Sequence, residues 1–105
     1  MDLRKLEGAL AAFAVLSPSA FPMHHAQLFL HVARTQPCTY QELMEALSLS
    51  NGTISRAVAA LGTEHWRGYP GYGLLDVYRD PAEGRRFLVR LTAKGRALVR
   101  QLEGL

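Results

Sequence analysis

Cysteine is nearly absent from this chain of 105 residues: Cys38 stands alone. One thiol makes no intrachain disulfide and no cysteine-built zinc finger. Long apolar runs are missing too, and none approaches the ~18 residues needed to cross a bilayer. The opening MDLRKLEGAL mixes acid, base and leucine, without the basic start and apolar stretch of a secretory signal. A cytoplasmic location with no membrane partner is the expectation. His24 and His25 are adjacent, His31 follows six or seven residues on, and His65 is distant, so no H-x-x-x-H pair exists and no metal is expected. No nucleophile is paired with a recognisable base, no glycine loop follows a strand in phosphate-cradling form, and no carboxylate pair is placed in a plausible cleft. Neither an enzyme nor a cofactor is expected.

What is present reads as one globular domain over 1–105, with 49% hydrophobic and 20% charged residues. Charge is uneven. Residues 1–52 carry three basic groups against four acidic ones, whereas residues 53–105 carry nine against five. A basic half of this kind suits a polyanion, because phosphates are attracted to it and release counterions on contact.

Hydrophobic spacing divides the chain into helices and two strands. Leu3, Leu6, Leu10 and Phe13 make one stripe of a helix over 3–16, ended by Ser17-Pro18-Ser19. A second helix over 22–35 takes Pro22 at its first position. Thr39 and Glu42 form a T-x-x-E capping box that opens a third, over 39–47. Ser48-Leu49-Ser50 is a turn, and Ser50 caps a fourth helix over 51–61. Residues 74–79 and 86–91 read as strands around a hairpin tip at 80–85, and Thr92 caps a last helix over 93–103. The fold class is mainly α with a little β: about five helices and a two-stranded hairpin.

Residues 39–61 form a helix-turn-helix whose shared core would be Leu43, Leu47, Leu49, Ile54 and Val58. Asn51, Gly52, Thr53, Ser55 and Arg56 are left near the start of its second helix, facing mostly outward. Arg makes two hydrogen bonds to guanine, Asn does the same to adenine, and Ser or Thr reach bases or phosphates. No acidic residue, which would repel phosphate, occurs between Asn51 and Gly62. The hairpin at 74–91 carries Arg79, Arg85 and Arg86 at its tip, with Asp80 and Glu83 between them. Beside a recognition helix such a hairpin is a wing, and arginine suits a narrow minor groove. Asp80 and Glu83 would then hold the arginines in position.

The run TYQELMEALSLSNGTISRAVAAL, followed by GLLDVYRDPAEGRRFLVRLTAKGRALV, resembles the MarR family of winged helix-turn-helix transcriptional regulators. The marks are L-x-x-x-L-x-L-S entering the recognition helix, T-I-S-R within it, G-L-L before the first strand, D-P-A-E-G-R in the wing and V-R-L-T-A-K-G leading to the last helix. The likeness covers 39–103 closely and 20–38 loosely. It implies a homodimer on pseudo-palindromic duplex DNA, with Ser50, Asn51, Thr53, Ser55 and Arg56 on the recognition helix and Arg85 on the wing. Phosphate contacts are expected from Thr39, Tyr40 and Gln41, and wing contacts from Arg79, Arg85 and Arg86. Met44 and Ser48 stand where the family usually has alanine and glycine, and residues 62–73 exceed the usual link.

Three features remain. The stripes Leu3, Leu6, Leu10, Phe13 and Leu98, Leu102, in the terminal helices 1–16 and 93–105, exceed what one small core needs, so a dimer interface is expected there. Residues 62–73 hold Trp66, Tyr69 and Tyr72, whose rings either pack onto the sheet or form a contact surface. Cys38 reads as packing. The expected role is a transcriptional regulator, more often blocking than activating; the rival readings are a protein-interaction module and a DNA-binding replication or partition protein, and the sequence names neither the operator nor a small-molecule effector.

Overall fold

In a computed structural model, which describes residues 1–17, 19–63 and 70–105, five helices surround a small antiparallel sheet. Helix α1 is Leu3–Ala14, α2 Met23–Thr35, α3 Tyr40–Leu47, α4 Asn51–Leu61 and α5 Ala93–Glu103. The strands are β1 Cys38–Thr39, β2 Leu75–Arg79 and β3 Phe87–Leu91. Each boundary has a local cause. Asp2 accepts from the Arg4 amide at 2.9 Å, Ser50 from Thr53 at 3.2 Å and Thr92 from Gly95 at 3.0 Å, satisfying amides that the first helical turn leaves without partners. Thr39 and Glu42 complete both halves of the capping box, each at 3.0 Å. Pro22 lies one residue earlier than expected, as the N-cap of α2. Helix α1 stops at Ala14, two residues short of the expected 16.

The sheet adds a third strand to the expected two-stranded hairpin. Its order is β1-β3-β2, with Cys38 opposite Val89 and Thr39 opposite Leu88. Two residues have no detectable period, so β1 exists only because β3 offers its second edge to the chain entering α3. The Gln36 side chain also accepts from the Leu91 amide at 2.9 Å and ties that entry to β3. On the other edge β2 pairs with β3 from Leu75–Leu91 to Arg79–Phe87.

The core is fully buried at Leu28, Phe29, Val32, Leu43, Ile54, Val58, Leu61, Leu74, Leu75 and Val89. Helix α2 runs through it against α3, α4 and β3. At Gly95 any Cβ would collide with the Leu74 carbonyl, so this glycine lets α5 lie directly on the chain entering β2. Ser48 ends α3 in the left-handed region at φ 55°, the conformation that closes the turn into α4 and that glycine adopts more easily.

Two expectations about apolar stripes change. Phe13 and Leu98 lie in the core of this chain, exposed by only 3% and 7%, and Phe13 packs on Phe21 and Phe29 at 5.6 and 5.8 Å. They are therefore not offered as an outer stripe. Leu3, Leu6 and Leu10 are exposed, and Leu102 is half-buried against the core. Tyr72 is half-buried against the core and packs on Phe21, in the segment between α1 and α2, at 5.3 Å. Trp66, Arg67, Tyr69 and His65, and with them most of the contact-surface reading of 62–73, lie outside the described residues.

Candidate nucleic-acid interface

The start of α3, the start of α4 and the tip end of the hairpin converge on one cleft of about 490 Å³, lined by Thr39, Tyr40, Gln41, Glu42, Asn51, Arg85, Arg86 and Phe87. It gathers six residues that the sequence assigned to DNA from three separate segments. Local rules make each segment: a capping box starts α3, a serine cap starts α4, and the tip is held by one aspartate.

That aspartate is Asp80. Its Oδ2 accepts from Arg86 Nε at 3.0 Å and Nη2 at 2.5 Å, and its Oδ1 accepts from the Ala82 amide at 2.9 Å. The Asp80 amide donates to the Arg86 carbonyl at 2.9 Å. The Arg86 side chain, then the Ala82 amide, hold the Asp80 carboxyl below its ordinary pKa, and the same bond raises that of Arg86. Arg79 Nη1 donates to the Gly84 carbonyl at 2.7 Å, and its guanidinium lies 5.0 Å from the Phe87 ring centroid. Two of the three wing arginines thus shape the hairpin. Arg85 is exposed and makes no hydrogen bond or ion pair among the described residues.

The same division runs through the helices. The Ser50 hydroxyl accepts from the Thr53 amide and donates to Thr53 Oγ1 at 3.0 Å, so both hydroxyls are engaged. Thr39 is buried and its oxygen caps α3, so it builds the cleft rather than presenting a free hydroxyl. Gln41 donates to Glu45 at 3.0 Å. Glu42, the acid of the cleft, accepts from the Thr39 amide, and that bond first holds its carboxyl below the usual value. Asn51 and Arg56 are exposed, Tyr40 and Ser55 half-buried, and none of the four has a hydrogen-bond partner among the described residues. Burial pushes the Tyr40 phenol upward. Ser55 opens on a second groove of about 280 Å³ between α4 and β2, shared with Tyr40, Asp76 and Val77.

Sequence reasoning passed over Phe87, which is 42% exposed in the cleft wall. Its alternation with the buried Val89 and Leu91 places it on the inward face of the sheet, and that was the available signal. Cys38 is buried beside Thr35 Oγ1 at 3.1 Å, and burial raises its thiol pKa, which suits packing rather than reactivity.

No family model matches the chain, and no curated protein matches it. Solved structures do match. The transcriptional regulator PcaV from Streptomyces coelicolor, in complex with its natural ligand, is 27% identical with a TM-score of 0.66, over 96% of this chain and 67% of that one. A mutant of MarR from E. coli complexed with operator DNA is 21% identical with a TM-score of 0.69, over 98% and 69%. MepR from S. aureus in complex with DNA is 20% identical with a TM-score of 0.70, over 97% and 73%. The capped helix-turn-helix, the hairpin locked beside it and these likenesses agree: the chain has a winged-helix fold like that of the MarR-type regulators.

Proposed function

We propose that the chain binds duplex DNA as a homodimer and regulates transcription, acting as a repressor. The observation that carries this reading is the single cleft uniting the start of α3, the start of α4 and the wing, with Asn51 and Arg85 exposed in its wall. Helix α4 enters the major groove with Asn51, Ser55 and Arg56 leading. The start of α3 lies on phosphates through Tyr40 and Gln41, and Arg85 extends along the neighbouring groove. Thr39, Ser50, Thr53, Arg79 and Arg86 hold that surface in shape. Relatives of the same fold have been solved with DNA bound, which supports the choice of partner.

Helices α1 and α5 support the dimer. The Leu105 side chain reaches to within 3.3 Å of where a Gly8 Cβ would stand, so the terminal helices lie together. Beside that seam Leu3, Leu6 and Leu10 remain 75%, 39% and 44% exposed. A two-fold axis there buries them and spaces the recognition helices for half-sites ~34 Å apart.

The test is a mobility shift of random-sequence duplex DNA across a salt series, with sedimentation of the free protein. Affinity is expected to fall linearly on logarithmic axes, by about 0.9 per phosphate neutralised. Absence of any shift at low salt would sink the reading and favour a protein-docking role for the same surface.

A further inference from the structure

Helix α4 breaks two local rules at one place. Its sequence, NGTISRAVAAL, contains one charged residue, Arg56, and one glycine, Gly52, four positions earlier on the same face. Gly52 stands in the first turn of α4, where alanine would favour the helix more, and it is exposed, so no packing neighbour explains it. A cation near a helix N-terminus is unfavourable as well, since the amide dipoles make that end positive. Yet Arg56 folds back toward it: an ideal Cβ on Gly52 would lie 3.2 Å from Arg56 Nη1, 3.8 Å from Nη2 and 3.9 Å from Cζ. The guanidinium makes no hydrogen bond or ion pair among the described residues to offset this placement. Helical side chains lean toward the N-terminus, and the missing Cβ leaves room for this one over the first turn at Gly52.

Both departures vanish as anomalies if their purpose lies outside the molecule. We infer that Gly52 is a positioning residue for Arg56: it leaves the space in which the guanidinium lies at the leading end of α4, presented edge-on to the acceptor pair of a guanine in the major groove. This rests on the DNA-binding reading above. It adds that the base preference belongs to the Gly52–Arg56 pair, and that glycine is there for the arginine rather than to admit the DNA backbone. A methyl at position 52 would stand closer to Nη1 than ordinary contact allows, so the guanidinium must give way by a few tenths of an ångström and leave this placement.

The experiment is a double-mutant cycle on the intact chain: unsubstituted, Gly52→Ala, Arg56→Ala and both together. The unsubstituted protein selects a duplex from a randomised pool. All four proteins are then titrated against that duplex and its single-base-pair variants, with melting temperatures recorded. Arg56→Ala is expected to lose about 5- to 150-fold of discrimination at one G·C pair. Gly52→Ala is expected to melt higher than the unsubstituted chain and still lose discrimination at that same pair. The double variant should lose no more than Arg56→Ala alone. The inference is overturned if Gly52→Ala retains full discrimination, or if it weakens all duplexes equally and does so again in the Arg56→Ala background. The latter result is what a close approach of the DNA backbone would give. Failure of the unsubstituted chain to select any duplex overturns the DNA reading itself and this inference with it, an outcome distinct from the other two.

Discussion

The helix-turn-helix and the wing sit side by side, but different kinds of information build them. In residues 39–61 the shaping bonds span three positions: Thr39 with Glu42, and Ser50 with Thr53. In the wing the bonds that tie one side of the hairpin to the other span five or six, from Arg79 to Gly84 and from Asp80 to Arg86, and the sheet beneath is completed by a strand some fifty residues upstream. Short-range caps form as soon as the helix does. The wing's bonds require the hairpin to be closed already, so they reinforce a geometry that packing must first provide. A second lesson follows. In both regions many polar side chains at the candidate interface are occupied by the protein itself, and the smaller free set, Asn51, Ser55, Arg56, Tyr40 and Arg85, is what remains for a partner.

The comparison is broken most severely from the core. Leu43 is fully buried beneath both helices of the motif, so Leu43→Ala should cost about 2–5 kcal/mol in urea denaturation. A cost below 1 kcal/mol would show that the two helices do not depend on their shared core. Next, Thr39→Ala removes the cap of α3 and should cost about 1 kcal/mol, with Ser50→Ala similar at α4. If either leaves stability unchanged, the local caps are not what sets this region.

Ser48→Gly tests the turn in the opposite direction. Relief of the left-handed serine at φ 55° should raise stability by about 1 kcal/mol, less what glycine adds to the entropy of the unfolded chain. A lower melting temperature would mean that the turn is held by the serine side chain.

In the wing, Arg85→Ala should leave folding unchanged and reduce the salt slope of DNA binding by about 1. Arg86→Ala should disturb the hairpin itself, read as faster amide exchange at Ala82 and Glu83. Identical behaviour of the two variants would erase the distinction between a free and an engaged arginine.

The smallest effect is on pH. Asp80 has a depressed folded-state pKa because of Arg86 and then the Ala82 amide. Its contribution is therefore fully present above the unfolded carboxyl value near 3.9 and fades as pH falls through the lower folded value. Amide protection at the wing tip should hold from neutral pH down to about 4 and decline below it, and Asp80→Asn should abolish that dependence. A tip that loses protection only above pH 5 would implicate another group.

The helix-turn-helix was legible because its signals are sequence-local. The capping box, the serine cap and the spacing of Leu43, Ile54 and Val58 each lie within one or two turns, and helices α3 to α5 fall within a residue of where they were expected. The same spacing could not tell an outer stripe from an inner one. Leu3, Leu6, Leu10 and Phe13 share one helical face, but only Phe13 reaches the aromatic cluster with Phe21 and Phe29. Likewise Arg79, Arg85 and Arg86 are equivalent as letters, and only the closed hairpin puts Asp80 within reach of one and Phe87 under another.

By itself, then, the sequence determined where helices α3 to α5 begin and end, which half of the chain is basic and which turn joins the two motif helices. Those properties rest on bonds and periodicities among near neighbours. Tertiary structure decided the third strand, the burial of Phe13 and Leu98, and which arginine stands free in the wing. Each of these depends on contacts between residues distant in the chain or across a closed turn, where side-chain chemistry permits several pairings and only packing chooses among them.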